Sequence, residues 1–365
     1  MTSLALQASP SAGFTQVVGV GGIGTGTIFA LEENHTLGRN ESRMGRLLEG
    51  RDYCKLHIVE HYIAVLLASK RSPEMFRVFA VGNVGNDAAG ATLLGEMAEA
   101  GIDTRYVKVD PTFGTLFSVS FLYPDKSGGN ITASNSAASR LSSSQLQECR
   151  TELAGAAEHG IALCLPEVPI AARQEFLRLA TECGSYRVAS FPSAEMAAVH
   201  GLDLLSQVDL LSLNREETVA VAGVSSAATC GERILDECSA VAAAANPNIK
   251  ILSSAGPDGV YVFEEGAWSH FPAVPVKVAS TAGAGDALLA GVLAGLAAGL
   301  PLTGSSSPTD NQSLTGFEID SAIRLGLLLA GLSTTSPHTI HPAANLEGLL
   351  VFAREKKIEL SDKAC

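Results

Sequence analysis

Ser280-Thr281-Ala282-Gly283-Ala284-Gly285-Asp286 runs directly into the apolar stretch Ala287–Leu300. The pattern predicts a helix over Ala284–Ala298, with small residues at Ala290, Gly291 and Gly295. Tiny residues ahead of a helix let a ligand approach the backbone closely. The N–H groups of Gly283, Ala284 and Gly285 would then point from a helix N-terminus toward an anion. Asp286 falls in the first helical turn. A carboxylate beside an anion cradle suits phosphoryl transfer to an alcohol. That chemistry needs a proton acceptor for the hydroxyl and donors for the developing phosphate charge. The plainer alternative is that Asp286 only caps the helix.

Outward from this turn the chain reads as an α/β protein. Strand signals fall at Val17–Val20, Arg77–Val84, Ile161–Leu165, Arg187–Phe191, Val208–Leu213, Ile249–Ser254 and Val260–Phe263. Helical stretches separate most of them, notably Leu93–Ala100 closed by Gly101, and Gly231–Ala245. A further helix is expected over Glu318–Ser333. Such alternation argues a mostly parallel sheet with helices on both faces, a three-layer α/β/α sandwich. Leu116–Tyr123, a Pro-Asp-Lys-Ser-Gly-Gly turn and Asn130–Thr132 read instead as a hairpin. This predicts one domain over residues 1–365 with a small β-rich lid from about 25–45 and 112–136. The terminus over 1–15 and the Ser/Thr/Pro-rich Gly304–Gly316 are expected to be loose loops.

Composition narrows the class. The 365 residues carry Lys+Arg 25 against Asp+Glu 38, a net charge of −13. Phosphate backbones need clustered cations, so nucleic acid is not an expected partner. The seven cysteines are odd in number and show no C-x-x-C pair, which argues against a disulfide framework or zinc and for a reducing compartment. No basic residue precedes Arg39, as a leader peptide would require, and Ala287–Leu300 is too short to span a membrane. The expectation is a cytoplasmic protein with no membrane partner.

The Ser280–Asp286 segment resembles the C-terminal signature of the PfkB-type carbohydrate kinases, the ribokinase-like superfamily, usually Asp-Thr-x-Gly-Ala-Gly-Asp. Val81–Gly90 with Leu93-Leu94 and Gly101–Thr104 resembles the family's early strand–turn–helix. Asn214-Arg215-Glu216-Glu217 is similar to its Asn-x-x-Glu motif, and Ser254–Gly259 to its nucleotide loop. The resemblance runs from about residue 16 to 345. It implies ATP-dependent phosphorylation of a sugar, nucleoside or related alcohol. It also implies roles: Asp286 as base, and Gly283, Ala284 and Gly285 as the anion hole. Asn214 and Glu217 would order Mg²⁺ through water, and Ser254, Gly256 and Gly259 would line the nucleotide. Read without the family, Asn214 and Glu217 are an ordinary helix-capping pair.

The substrate half departs from the pattern. Gly24-Thr25-Gly26-Thr27 has no carboxylate where relatives bind hydroxyls, and Tyr53–Tyr62 lacks their Gly-Gly…Asn motif. Lys55, His57, Glu60 and His61 are the replacement candidates, set against their being the solvated face of a helix. Asn130 and Asn135 are further candidates, set against simple turn chemistry. Plain ribose and fructose are therefore expected to be poor substrates, and a nucleoside or modified sugar is preferred. Ser280 stands where relatives use Asp beside a monovalent cation, which brings K⁺ activation into question. Lids of this kind sometimes pair between subunits, so a homodimer through the lid is expected.

Two other readings compete. The missing sugar motifs suggest a non-catalytic ligand sensor of the same fold. Gly19-Val20-Gly21-Gly22-Ile23-Gly24 matches a nicotinamide-dinucleotide fingerprint, with Glu41 at the acidic distance. That fingerprint requires a following helix and an apolar strand into the acid, and no apolar strand leads into Glu41. His338 and His341 have metal-like spacing, but Pro337 and Pro342 favour a loop.

Overall fold

This computed structural model describes Leu6 and residues 13–125, 127–223, 231–304 and 318–360. Most of the expected loose terminus, and nearly all of the Gly304–Gly316 loop, lie outside those residues. Two sheets frame the site. In chain order their strands are β1 (Gln16–Val20), β2 (Gly24–Leu31), β3 (Gly45–Leu47), β4 (Asp52–Tyr53), β5 (Arg77–Gly85), β6 (Ile102–Asp110), β7 (Leu116–Leu122), β8 (Gly128–Thr132), β9 (Gly160–Cys164), β10 (Tyr186–Ala189), β11 (Leu210–Asn214), β12 (Lys250–Ser254), β13 (Val260–Glu264) and β14 (Ala267–Phe271).

The large sheet has nine strands in the order β14-β13-β12-β11-β10-β9-β1-β5-β6. From β12 to β6 every pairing is parallel; β13 and β14 add an antiparallel edge. The central strand β1 is buried throughout. Its side chains alternate between two cores, as strand geometry requires: Val17 faces one, Val18 and Val20 the other. The first core is covered by helices Lys55–Leu66, Ala88–Ala100, Ala284–Ala297 and Ala322–Ser333, the second by helices that include Ile170–Glu182 and Gly231–Ala245. This is the expected three-layer sandwich.

The chain order reverses between β1 and β9. One arm grows through β5 and β6, the other through β9 to β12. Open α/β sheets bind ligands at such a switch point, beyond the carboxyl ends of the strands. The second sheet stands there, in the order β3-β2-β7-β8 with β4 also on β2. It holds the early hairpin signals outside the main sheet and reaches as far as Tyr53. Because β1 leads into strand β2 and not into a helix, the dinucleotide fingerprint lacks its structural context.

Two elements differ from the sequence reading. Ile102–Asp110 is the edge strand β6, where only the end of a helix–turn was read; its polar, half-exposed side chains hide the alternation. Glu318-Ile319 is a short strand against Glu359-Leu360, and the helix begins only at Ala322.

The helix that carries Asp286 is seated by close packing. Its Gly291 lies against Gly326 of the Ala322–Ser333 helix, and a Cβ at 291 would sit 2.7 Å from the Gly326 Cα. Overfilling such a contact typically costs about 1–3 kcal/mol. Gly291→Val is expected to destabilise the protein by at least that range in chemical denaturation, with Gly291→Ala falling between it and the native chain.

Candidate active site

A cleft of about 680 Å³ lies at the switch point, lined by both the main sheet's carboxyl ends and the inner face of the small sheet. Its chemistry comes from four places.

The first is the turn before helix Ala284–Ala297. Gly283 caps this helix at φ 76, a left-handed conformation that favours glycine. The Ala284 N–H is spent on the Thr281 carbonyl at 3.2 Å. The amides of Gly283 and Gly285 meet no acceptor among the described residues. The expected three-donor hole is therefore two open donors plus a turn bond. Half-buried Asp286 lines the cleft one residue later. Burial pushes its carboxyl up to about 6; Lys55 opposes the rise, and the charges of Glu217 and Asp52 add to it.

The second is the start of helix Lys55–Leu66. Lys55 reaches the cleft and lies 3.8 Å from Glu217 Oε1. Burial alone would lower its pKa, but the charges of Asp286, Glu217 and Glu167 outweigh it and hold the ammonium above its usual range. The other candidates on this helix do not line the cleft. Ile58 is what it presents there. His57 is 1% exposed and Glu60 0% exposed, and neither ring nitrogen of His57 has a hydrogen-bond partner among the described residues. They lie outside the cleft lining, and their burial means they are not a solvated face. Burial drives His57 down to about 3, helped by His61, drives His61 down to about 4, and drives Glu60 well above the carboxylate range.

The third is the end of β11. Asn214 and Glu217 form the capping box that the bare sequence suggested: Glu217 N–H donates to Asn214 Oδ1 at 2.9 Å, and Asn214 N–H to Glu217 Oε2 at 2.8 Å. The cap uses one Glu217 oxygen and leaves Oε1 toward Lys55. Ser254 is the register partner of Asn214 on β12, and its Oγ lies 4.0 Å from where a Gly285 Cβ would stand. Gly256 and Gly259 shape the following turn with φ of 59° and 97°, outside the cleft lining. Ser280 is buried, and its hydroxyl accepts from Ala282 N–H at 3.2 Å.

The fourth is the small sheet, whose side chains alternate. Ser118, Ser120, Asn130 and Thr132 share the inner face by register. Asn130 Nδ2 donates to Ser120 Oγ at 2.9 Å, and Thr132 Oγ1 donates to Asn130 Oδ1 at 2.6 Å. Asn130 lines the cleft; Asn135 is exposed outside it.

Three carboxylates in the cleft, Asp52, Glu167 and Glu195, were missed in the sequence. Glu167 follows β9 with φ 74, uncommon for a non-glycine. Burial pushes it up to about 7, against a hydrogen bond from Cys54 and the charge of Lys55. Its place between Pro166 and Pro169, just past a strand, was the available signal. Asp52 lies on β4 opposite Gly26, so a carboxylate does face the Gly24–Thr27 stretch that has none of its own. A strand as short as Asp52-Tyr53 leaves no pattern to read.

The segment after helix Ala322–Ser333 ties these parts together. Thr339 N–H donates to the Arg51 carbonyl at 3.1 Å, and Tyr53 N–H to Thr339 Oγ1 at 3.1 Å. The Thr339 carbonyl oxygen stands 2.9 Å from where a Gly283 Cβ would be. His338 and His341 are engaged by the backbone N–H groups of Arg51 and Ala343.

A family model for pfkB family carbohydrate kinases matches residues 62–345. The chain belongs to that family. A fructokinase from Klebsiella pneumoniae is 38% identical over 98 residues, which cover 27% of this chain and 29% of that protein. The matched segment thus spans under a third of that curated relative. A ribokinase structure from Giardia lamblia superposes with a TM-score of 0.72 at 15% identity, over 93% of this chain and 99% of that one. A Burkholderia thailandensis nucleoside kinase in complex with inosine gives 0.64 at 14% identity, over 94% and 99%. At these identities the structures establish the shared pfkB-type fold. Among the described residues no helix is long and apolar enough to cross a membrane.

The charge arrangement has a direct test. Lys55 holds the Asp286 carboxyl down, so Lys55→Met is expected to raise its pKa above 6. Carbonyl-carbon NMR of labelled aspartate should show the Asp286 titration moving to higher pH in the variant.

Proposed function

We propose that this pfkB-family chain transfers the terminal phosphoryl group of ATP to a hydroxyl of a sugar, nucleoside or related small alcohol. The observation that carries this is Asp286: a cleft carboxyl with its pKa raised to about 6, beside two open amides at a helix N-terminus. At neutral pH it is mostly ionised, yet it is a stronger base than an exposed aspartate. It takes the acceptor hydroxyl's proton as the new P–O bond forms. The Gly283 and Gly285 N–H groups, open at the helix N-terminus, would donate to the phosphoryl oxygens, where donors act most strongly as charge develops. Lys55 balances the surrounding carboxylates. Ser254, Gly256 and Gly259, beside the cleft at the end of β12, are assigned to the nucleotide.

Asn214 and Glu217 fit Mg²⁺ held through water. They offer only hard oxygen donors, and Glu217 keeps Oε1 outside its capping bond. Bound there, the ion would neutralise triphosphate charge. Ser280 offers only a neutral hydroxyl, so K⁺ activation is not part of the proposal. The five described cysteines are free thiols, which supports a cytoplasmic setting.

Asp286→Asn keeps shape but cannot take the proton. It should lower kcat by roughly 10²–10⁴, the usual worth of a positioned general base, while ATP affinity changes little. A substrate panel with MgATP makes the measurement. Native-like turnover in the variant would leave Asp286 only its place as a first-turn carboxylate at the helix's positive end, and no turnover by the native chain would favour a ligand sensor. In the native chain, kcat/KM should fall as pH drops through about 6, because protonation removes the base.

We also propose a homodimer through the lid. Its outer face is apolar: Phe117 is 47% exposed and Ile131 66% exposed, and Leu47 is also exposed. Register places Phe29, Val119 and Phe121 on the same face. Light scattering is expected to give twice the chain mass, and Ile131→Glu with Phe117→Glu the single-chain mass.

A further inference from the structure

We propose that Tyr62 is a positioning residue for phosphoryl transfer: its buried hydroxyl pins Thr339 against Gly283 and so sets the two open amides beside Asp286. The proposal rests on the phosphotransferase reading of the cleft and adds a side chain that lies outside the cleft lining.

Tyr62 sits two turns along its helix from Lys55, so the two share a face. The helix packs on helix Ala284–Ala297, and the Asp286 charge reaches both side chains. Tyr62 is fully buried. Its hydroxyl donates to the Thr339 carbonyl at 3.1 Å and accepts from the His341 N–H at 2.8 Å. A phenol has one proton to give. Burial and the Asp286 charge raise its pKa, so that proton stays on the oxygen. Thr339 and His341 lie between helix Ala322–Ser333 and helix Leu346–Glu355, where the chain has no regular structure. Backbone of that kind has no ladder to satisfy its polar groups. One side chain thus secures both ends of a three-residue span.

The span matters because of what leans on it. A Cβ at Gly283 would stand 2.9 Å from the Thr339 carbonyl oxygen, 3.1 Å from its Cβ and 3.3 Å from its Cα. Thr339 therefore fills the space that a side chain at 283 would need. The turn has bonds of its own, but they flank Gly283. The Ala279 and Ser280 N–H groups donate to the Thr334 carbonyl at 2.8 and 3.3 Å, Ala282 N–H to Ser280 Oγ, and Ala284 N–H to the Thr281 carbonyl. Arg51 and Tyr53 hold Thr339 through its N–H and Oγ1. Those groups lie outside the 339–340 peptide plane, whose carbonyl Tyr62 grips and Gly283 packs on. Removing the hydroxyl frees that plane to turn. Donors aimed at a transferring phosphoryl group lose rate steeply when misplaced.

The test is Tyr62→Phe in the full chain, which deletes the hydroxyl and keeps the ring. With MgATP and an acceptor that the native chain turns over, kcat should fall about tenfold to a hundredfold while both KM values stay within about threefold, the mark of an interaction made in the transition state. Tyr106→Phe, which removes a hydroxyl bonded to Glu152 outside the cleft, should keep the native kcat. Amide NMR of the isotope-labelled chain gives a readout independent of turnover. In the native chain the His341 amide should exchange at least about tenfold more slowly than in unstructured chain, through its bond to Tyr62. In Tyr62→Phe that protection should go, and the Gly283 and Gly285 signals should shift while those of Leu293 and Ala294, farther along the same helix, hold. Unchanged kcat in Tyr62→Phe, an equal loss in Tyr106→Phe, unmoved Gly283 and Gly285 signals, or an unprotected His341 amide in the native chain would overturn the proposal. The last of these needs no variant and decides if Tyr62→Phe does not fold. If the native chain turns over no acceptor, the phosphotransferase reading fails and the amide signals decide the positioning alone.

Discussion

The site is organised around one ammonium among carboxylates. Lys55 begins a helix, where the macrodipole alone disfavours a cation. It is tolerated because Glu217 Oε1 lies 3.8 Å away and Asp286 and Glu167 add their charge. The benefit is mutual. Without Lys55, burial and neighbouring charge would push the Asp286 and Glu167 carboxyls still higher, and both would lose charge at neutral pH. Three helices begin at this spot, at Lys55, Arg215 and Ala284, so their positive ends also temper the acidity. The topology makes this convergence: β11 runs straight into the helix at Arg215, β4 of the small sheet runs into the helix at Lys55, and the reversal between β1 and β9 opens the space they share.

The lid uses the simplest property of a strand. Residues on β7 and β8 alternate, so one face offers Ser118, Ser120, Asn130 and Thr132 to the cleft while the other shows Phe117, Val119, Phe121 and Ile131. The face toward the cleft and the face of the proposed dimer are thus separated by the pleat and share no side chain. The lid is also fastened to the turn before helix Ala284–Ala297. Thr339 hydrogen-bonds the β4 strand on one side and packs on Gly283 on the other, which fixes the wall bearing Asp52 relative to the amides beside Asp286.

Most of the body was legible because its signals are local. Ser280–Asp286 declares its turn through glycines, Asn214 and Glu217 show capping spacing, and the buried strands are short apolar runs. What escaped depends on contacts distant in sequence. Asp52 becomes a site residue only because β2, β4 and β7 meet, and nothing within Gly50–Cys54 shows it. Glu167 takes a left-handed backbone between two prolines. The helix at 55–66 misled for the opposite reason. Histidine and glutamate at helical spacing look like a wet face, but a helix packed on the sheet, on helix Ala284–Ala297 and on its neighbours has no wet face to offer.

That last feature makes folding of this helix a proton-transfer event. Glu60 is buried with its pKa raised, so below the unfolded value near 4.5 its full contribution is present, and it is lost as pH climbs toward the folded value. His57 and His61 are buried with pKa values lowered to about 3 and about 4, so their contribution is complete above the unfolded value of 6.5 and is lost on acidification. Near pH 5.5 folding expels protons from two imidazoles and takes up one at Glu60, so stability rises with pH. Once the unfolded histidines are neutral only the Glu60 uptake remains, and it works the other way, its contribution fading as pH climbs toward the folded value. The helix that anchors the charge balance of the cleft therefore carries opposed proton demands, its imidazoles failing it in acid and its glutamate in base.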